Sequence, residues 1–253
     1  SQIQAGYSQL DAREKEIANG WIRLEEGKQE LEDAKIEVAD GWIEYEDGKA
    51  EAEEEPVVID EAIVEEAWVN PFVDIYESDS YYAAIEFVYE NGLFKGVSEI
   101  EFAPATTMTR AMFVTVLGRL HGITEDYVGE NTFADVVEGE WYAPYVVWAA
   151  DNGIVLGYGD GTFGINDEIT VEQAAVILAR YTAFIELDVV AEYDLAADYA
   201  DAADVSEWAA EAMTWAVAEG IYEGVEVGEE DYLFPQTTAA RSLVATMLYN
   251  FAN

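Results

Sequence analysis

The chain has no cysteine and a single histidine among its 253 residues. The first absence excludes disulfides, thiolate metal sites and cysteine nucleophiles, whatever the redox compartment. The second leaves His121 as the sole imidazole for any Ser-His-Asp arrangement. It sits beside Gly122 at the end of a helical pattern, where a surface position is the simpler reading. Basic residues are scarce too: 11 Lys and Arg stand against 54 acids, for a net charge of −43. A surface that negative repels nucleic-acid phosphates and anionic lipid, attracts cations and stays soluble at high salt. No apolar run approaches the ~18 residues of a membrane span, and no secretory leader opens the chain. The opening SQIQAGYSQL lacks Met and is already in helical phase, so it reads as a mature or excised fragment.

What is present is apolar and aromatic material, 51% and 13% of the chain, enough for a packed core. Residues 1–55 carry a heptad stripe: Ile3, Leu10, Ile17, Leu24, Leu31, Val38, Tyr45 and Ala52. A second stripe holds Gly6, Gly20, Gly27, Ala34, Gly41 and Gly48, broken by Arg13. A sustained heptad predicts a coiled-coil helix. Each glycine costs that helix about 0.5–1 kcal/mol relative to alanine, so the small stripe suggests a partner helix at close approach. A stalk or oligomerisation segment is one reading, and a solvated helix cut from a larger pairing is the other. The acidic run AEAEEEP ends it, and residues 56–70 read as a linker.

From residue 70 onward one unit recurs three times. The clearest copy is FADVVEGEWYAPYVVWAADNGIVLGYGDGTFGINDEITVEQAAVILARY, at 133–181. Gly92, Gly153 and Gly220 correspond between copies. The units span 71–122, 132–185 and 198–253. Each begins with an aromatic-x-Asp lead (Phe72/Asp74, Phe133/Asp135, Tyr199/Asp201), followed by a helix of about a dozen residues. That helix ends at the corresponding glycine, in the C′ position that needs a left-handed backbone. A turn-rich loop and a second, more apolar helix complete the unit, near 109–120, 170–185 and 240–251. Thr170 and Gln173 form a capping box, and Thr109 caps in the same way. Three such apolar helices can bury one another at a common centre, so the fold class is mainly α.

Residues 159–164, GDGTFG, match the G-x-G-x-x-G fingerprint literally. A dinucleotide site needs a strand before those glycines and a helix opening within them. Here a helix precedes, and the next helix starts only near Thr170. An EF-hand reading fails because Leu156 and Tyr158 would occupy ligating positions. The stretch is a turn between two helices.

The pattern F-x-D…W-Y…G-I-x-x-G-Y-x-D-G-T-F…I-T resembles the S-layer homology (SLH) domain of bacterial surface proteins, and MTRAMFVTVLGRL at 108–120 resembles that family's second-helix opening. The resemblance covers residues ~70–253 in three copies, and the N-terminal stripe is similar to the helical stalks of Gram-positive surface proteins. It implies a pseudo-threefold module whose grooves between repeats bind secondary cell-wall polysaccharide, often bearing a pyruvyl ketal. It carries the family's groove arginine onto Arg110 and Arg241, its groove aromatic onto Trp141 and Trp208, and its leading aspartate onto Asp74, Asp135 and Asp201. A cation at a helix start opposes the macrodipole. Beside free helix N–H groups, however, a guanidinium is well placed to hold a carboxylate. Val171 stands where the second unit should have its arginine, Ser80 where the first should have tryptophan, and Ala240 where the third should have threonine.

No catalytic set is expected, and no metal site; Asp160, Asp167 and Glu168 leave room for weak calcium association without diagnostic spacing. The leading expectation is a non-enzymatic module on the bacterial cell surface that anchors a protein to wall polysaccharide. The alternative is a structural subunit that self-associates through coil and repeats into a surface layer or filament. Neither reading involves nucleic acid.

Overall fold

The computed structural model describes residues 68–253, so the coil of residues 1–55 and most of the 56–70 linker lie outside the described residues. Seven α-helices follow in chain order: α1 Tyr82–Glu90, α2 Arg110–Leu120, α3 Ala143–Asp151, α4 Val171–Phe184, α5 Leu195–Asp198, α6 Ala210–Ala218 and α7 Arg241–Ala252. One short hairpin, β1 Val225–Val227 and β2 Glu230–Tyr232, accompanies them. The described residues are therefore helix-rich, with a single small strand pair.

The apolar helices α2, α4 and α7 start as their local chemistry dictates. Thr109 accepts from the Met112 N–H, and Thr170 and Gln173 satisfy each other's backbone N–H groups as a full capping box. Ala240 offers no side-chain cap. The first two backbone donors of a helix have no partner within it. Here chain segments from elsewhere supply one. Arg110 N–H donates to the Asp167 carbonyl (2.9 Å), Val171 N–H to Thr237 (3.0 Å) and Arg241 N–H to Thr106 (2.9 Å). One residue before each helix cap, a second set closes on itself. Met108 donates to Ala239, Ala239 to Ile169, and Ile169 to Met108, at 3.0, 2.8 and 2.9 Å. Met108, Ile169 and Ala239 are buried, so these last three bonds form a dry ring joining the three helix starts.

The shorter helices interlock around that ring. α3 packs on α2, α6 on α4, and α1 on α7. The first helix of each sequence unit thus lies on the second helix of the unit before it, in a cycle. Val88, Leu117, Val146, Leu178, Met213, Val244 and Leu248 are among the side chains this buries. Each such burial contributes about 1.5–3 kcal/mol.

The leading aspartates have a shared task. Asp74 accepts from the Phe102 and Ala103 N–H groups, Asp135 from Phe163 and Gly164, and Asp201 from Leu233 and Phe234. Each carboxylate staples the far end of its own unit's loop, with both oxygens used. The residue held by the second oxygen is left-handed every time: Ala103 (φ 58°), Gly164 (φ 83°) and Phe234 (φ 45°). Only the middle unit has the glycine that this backbone favours.

Two details depart from the sequence reading. The short helices α1, α3 and α6 have nine residues rather than a dozen. In the second unit Pro144 lies in the first turn and the preceding residues form a turn, and in the third unit Glu207–Ala209 is a 3-10 turn. Trp141 and Trp208 therefore precede their helices instead of opening them. The hairpin was not foreseen either: VEV and EDY flank Gly228-Glu229, and Gly228 (φ 74°) permits the two-residue turn.

Asp135 gives a test of the staple. Burial pushes its carboxyl up, but N–H donors from Phe163, Gly164 and Ile165 outweigh this and hold it below the ordinary carboxylate value. Its stabilisation is then present above the unfolded value of about 3.9 and lost as pH falls through the lower folded value. Asp135→Asn should cost about 2–3 kcal/mol at pH 7. Urea titrations should show the gap from wild type constant between about pH 8 and 5, and shrinking below about pH 4.

Candidate functional site

The loop between the two helices of each unit is the wall on which the site is built. In the second unit its glycines set the path. Asp160 accepts from both the N–H and the hydroxyl of Thr162, and Tyr158 N–H donates to the Thr162 carbonyl, closing a tight turn. GDGTFG is thus a turn between helices, as its position in the repeat implies. Gly157 (φ 65°) faces the Phe133 ring and the Thr162 carbonyl so closely that no β-carbon fits. The same turn presents the Tyr158 ring outward, beside the start of α2.

Arg110 lies against that wall. Its side chain is 6% exposed. Nε donates to the Phe163 carbonyl (3.0 Å) and Nη1 to Gln173 Oε1 (3.4 Å). The guanidinium sits 4.7 Å from the Tyr158 ring centre and 4.8 Å from that of Phe163, close enough for cation–π attraction. Arg241 repeats the arrangement on the first unit's loop. Its Nε donates to the Phe102 carbonyl (2.9 Å) and Nη2 to the Lys95 carbonyl (2.7 Å), with Phe102 and Phe94 rings at 4.5 and 5.1 Å. Among the described residues, neither guanidinium hydrogen-bonds a carboxylate. Burial lowers the proton affinity of Arg110, Tyr158, Asp167 and Asp135 oppose that, and Arg180 adds to it. The group remains a cation at physiological pH.

A cavity of about 410 Å³ opens beside Arg110. Arg110 contributes from α2, Leu156 and Tyr158 from the second unit's loop, Gln173 and Arg180 from α4, and Trp208 from the turn before α6. Three units therefore meet in one groove. Two of the residues singled out from sequence, Arg110 and Trp208, are brought together there. Trp208 is 58% exposed, so it is not core. Two residues before it, Ser206 donates its N–H and hydroxyl to the buried Glu172 carboxylate on α4, tying this turn to that helix.

Trp141, 48% exposed, lines a different hollow of about 690 Å³ with Tyr127, Asn131, Glu138 and Glu140. That lining includes neither Arg110 nor Arg241. The three leading aspartates are engaged with backbone N–H groups, as described above, and the arrangement gives them a fastening role. At the helix starts, Arg110 N–H and the Arg241 and Ser242 N–H groups are taken by backbone carbonyls of other segments, and Met112 N–H by the Thr109 hydroxyl, so these four are not free to hold an anion.

The three carboxylates considered for calcium turn to separate partners: Asp160 to Thr162, Asp167 to Tyr158 and Glu168 to Thr107. Among the described residues no group of three or more His, Asp or Glu is placed to hold a metal ion. His121 stacks on Trp148 (5.1 Å) and meets Tyr181 OH at 3.3 Å, within an aromatic cluster rather than a catalytic set. Sequence reasoning missed Arg180, Gln173 and Tyr158. A signal existed, for Arg119 and Arg180 hold the same place in the second helices of units one and two, where unit three has Asn250.

The described residues thus form a helix-rich fold with a cationic, aromatic-walled groove. Residues 71–112 and 132–175 match the model of the S-layer homology domain. Exoglucanase XynX of Acetivibrio thermocellus is 32% identical over 168 residues, 65% of this chain and 15% of that protein. An amylopullulanase of Thermoanaerobacterium thermosulfurigenes is 30% identical over 168 residues, 65% of this chain and 8% of the enzyme. A surface-layer 125 kDa protein of Lysinibacillus sphaericus is 28% identical over 185 residues, 73% and 15% respectively. The chain spans less than a sixth of the length of these three relatives. No helix of the described residues is long and apolar enough to cross a membrane.

Exposure separates Trp141 and Trp208 from the tryptophans of the packed interior. Trp208→Ala and Trp141→Ala should each change unfolding free energy by less than about 1 kcal/mol, as exposed substitutions do. Trp215→Ala, at a site 2% exposed, should cost about 3–5 kcal/mol in the same urea titration.

Proposed function

We propose that residues 71–253 form three S-layer homology repeats in a pseudo-threefold arrangement, and that they anchor the protein non-covalently to bacterial cell-wall polysaccharide. The observation that carries this reading is the groove in which Arg110 and Trp208 meet although they belong to different units. A guanidinium with donors to spare grips a carboxylate, and an exposed indole face packs on the apolar face of a sugar ring. The cyclic packing supports a second groove. Trp208 precedes α6, which packs on α4, the helix of the unit whose loop receives Arg110. By the same rule Trp141 precedes α3, which packs on α2, the helix of the unit whose loop receives Arg241. Arg110 with Trp208, and Arg241 with Trp141, are the two pairs assigned to glycan.

The relatives support a role at the cell envelope. A surface-layer protein and two carbohydrate-active enzymes share this region, and it is a small part of each. The three differ in kind while sharing this region, and this chain is assigned no catalysis. Net charge opposes an anionic polymer at long range. At physiological salt that field is screened beyond about 8 Å, so contact within the groove can still be favourable.

A second reading has one observation of its own. The face equivalent to the two grooves carries Val171, Ser80 and Asn250, with neither cation nor tryptophan. Such a face suits contact between copies, and would make the chain a structural subunit of a surface layer or filament built through coil and repeats.

The two readings part in one sedimentation experiment with purified sacculi, with and without their secondary polysaccharide, in calcium and in chelator. Polysaccharide-dependent pelleting is expected in both buffers, with at least tenfold loss of retention for Arg110→Ala/Arg241→Ala. Concentration-dependent assembly without any wall component, and no retention on sacculi, would favour the structural subunit.

A further inference from the structure

The three junctions between units share one backbone register. Arg110 N–H donates to Asp167, and four residues before Asp167 the Phe163 carbonyl accepts from Arg110 Nε. Arg241 N–H donates to Thr106, and four residues before Thr106 the Phe102 carbonyl accepts from Arg241 Nε. Val171 N–H donates to Thr237, which puts the Leu233 carbonyl in the equivalent position. Phe102, Phe163 and Leu233 match in a second respect, since each gives its own N–H to the leading aspartate of its unit. A valine side chain has no donor, so the third carbonyl needs another partner, and a buried carbonyl left without one is costly.

Tyr222 is that partner. Its hydroxyl donates to the Leu233 carbonyl at 2.6 Å. Tyr222 lies two residues after Gly220, as Phe94 does after Gly92 and Val155 after Gly153. At the other two junctions this position borders the arginine. The Phe94 ring centre is 5.1 Å from the Arg241 guanidinium, and Val155 lines the cavity beside Arg110. The phenol therefore reaches, from the loop's own unit, the carbonyl that an arginine reaches from a neighbouring unit. Val171 and Tyr222 are both buried, and Leu233 offers no ring of the kind that Phe102 and Phe163 turn toward a cation. Burial, with Asp201 and Tyr199 adding to it, raises the phenol's proton affinity, so the hydroxyl remains a donor at neutral pH.

We infer that Tyr222 stands in for the missing arginine at the third junction, and that this exchange makes the junction a fixed joint between the second and third units rather than a ligand groove. The closure of this face to glycan rests on the reading proposed above; the exchange of partners does not. Val171 and Tyr222 then form a matched pair. Arginine at position 171 with the phenol still in place would bury a guanidinium beside an acceptor already in use.

Thermal unfolding of four chains of residues 1–253, followed by near-ultraviolet circular dichroism at pH 7, tests the exchange. Val171→Arg in the wild-type background should lower the melting temperature by at least about 5 °C. Tyr222→Phe removes the hydroxyl alone and should lower it by about 3–10 °C. In the Tyr222→Phe background, which reproduces the phenylalanine beside Arg241, Val171→Arg should instead raise the melting temperature. The Tyr222→Val background, which reproduces Val155 beside Arg110, should show the same reversal. Such a change of sign is not expected of two residues that merely pack near each other. Equal losses from Val171→Arg in all three backgrounds, or a Tyr222→Phe chain that melts within about 1 °C of wild type, would overturn the inference. Tyr222→Phe, held well below its melting temperature, should be retained on sacculi within about twofold of wild type. A loss of about tenfold there would mean that the third face takes part in binding, and would overturn its closure. Failure of sacculi to retain wild type would count against the glycan reading alone, since the melting comparison needs no ligand.

Discussion

The ring of backbone hydrogen bonds at the starts of the three apolar helices is the constraint on which the rest depends. Met108, Ile169 and Ala239 each donate to one member of the trio and accept from the other. The following N–H groups of Arg110, Val171 and Arg241 find carbonyls on neighbouring segments. In a dry interior every one of those groups must be paired, and an unpaired one costs about 1–3 kcal/mol. No sequence unit can satisfy them alone. The ring therefore fixes how the units meet, and the short helices then have one apolar surface to cover, that of the preceding unit.

The groove follows from that cycle. Because α6 covers α4, the turn carrying Trp208 arrives beside the loop that receives Arg110. Glu172, buried on α4, holds Ser206 and so ties the turn that carries Trp208 to that helix. The contacts at the helix starts also occupy the Arg110, Arg241 and Ser242 N–H groups, which are thereby removed as donors to a ligand. Contact with Phe163 and Tyr158 then orients the Arg110 guanidinium, whose burial lowers its proton affinity while Tyr158, Asp167 and Asp135 partly offset that.

Much of this was legible beforehand. Thr109, Thr170 and Gln173 mark the helix starts by cap chemistry that is local. Gly92, Gly153 and Gly220 mark helix ends for the same reason, and all three adopt positive φ. The recurrence of aromatic-x-Asp showed that Asp74, Asp135 and Asp201 were equivalent, but not that their carboxylates staple backbone some thirty residues away. That contact is non-local, and its geometry lies in loops. The pairing of Arg110 with Trp208 was invisible because aligned repeats compare like with like, whereas the cycle joins an arginine of one unit to a tryptophan two units on. For the same reason Val171 and Ser80 looked like separate defects. Under the cyclic rule they fall on one face, which Asn250 completes. The VEV–EDY hairpin escaped notice because a three-residue strand leaves almost no period to read.

In so acidic a chain the few arginines and the lysine of the described residues gather at two spots, the loops that receive Arg110 and Arg241. The central claim is that those spots are composite grooves marked by Trp208 and Trp141. The most direct test is the ¹H–¹⁵N spectrum of the seven indole N–H groups during addition of soluble wall polysaccharide. The account predicts that the Trp208 and Trp141 resonances move while those of the buried Trp148 and Trp215 stay. Shifts confined to other tryptophans, or none at saturating polysaccharide, would contradict it.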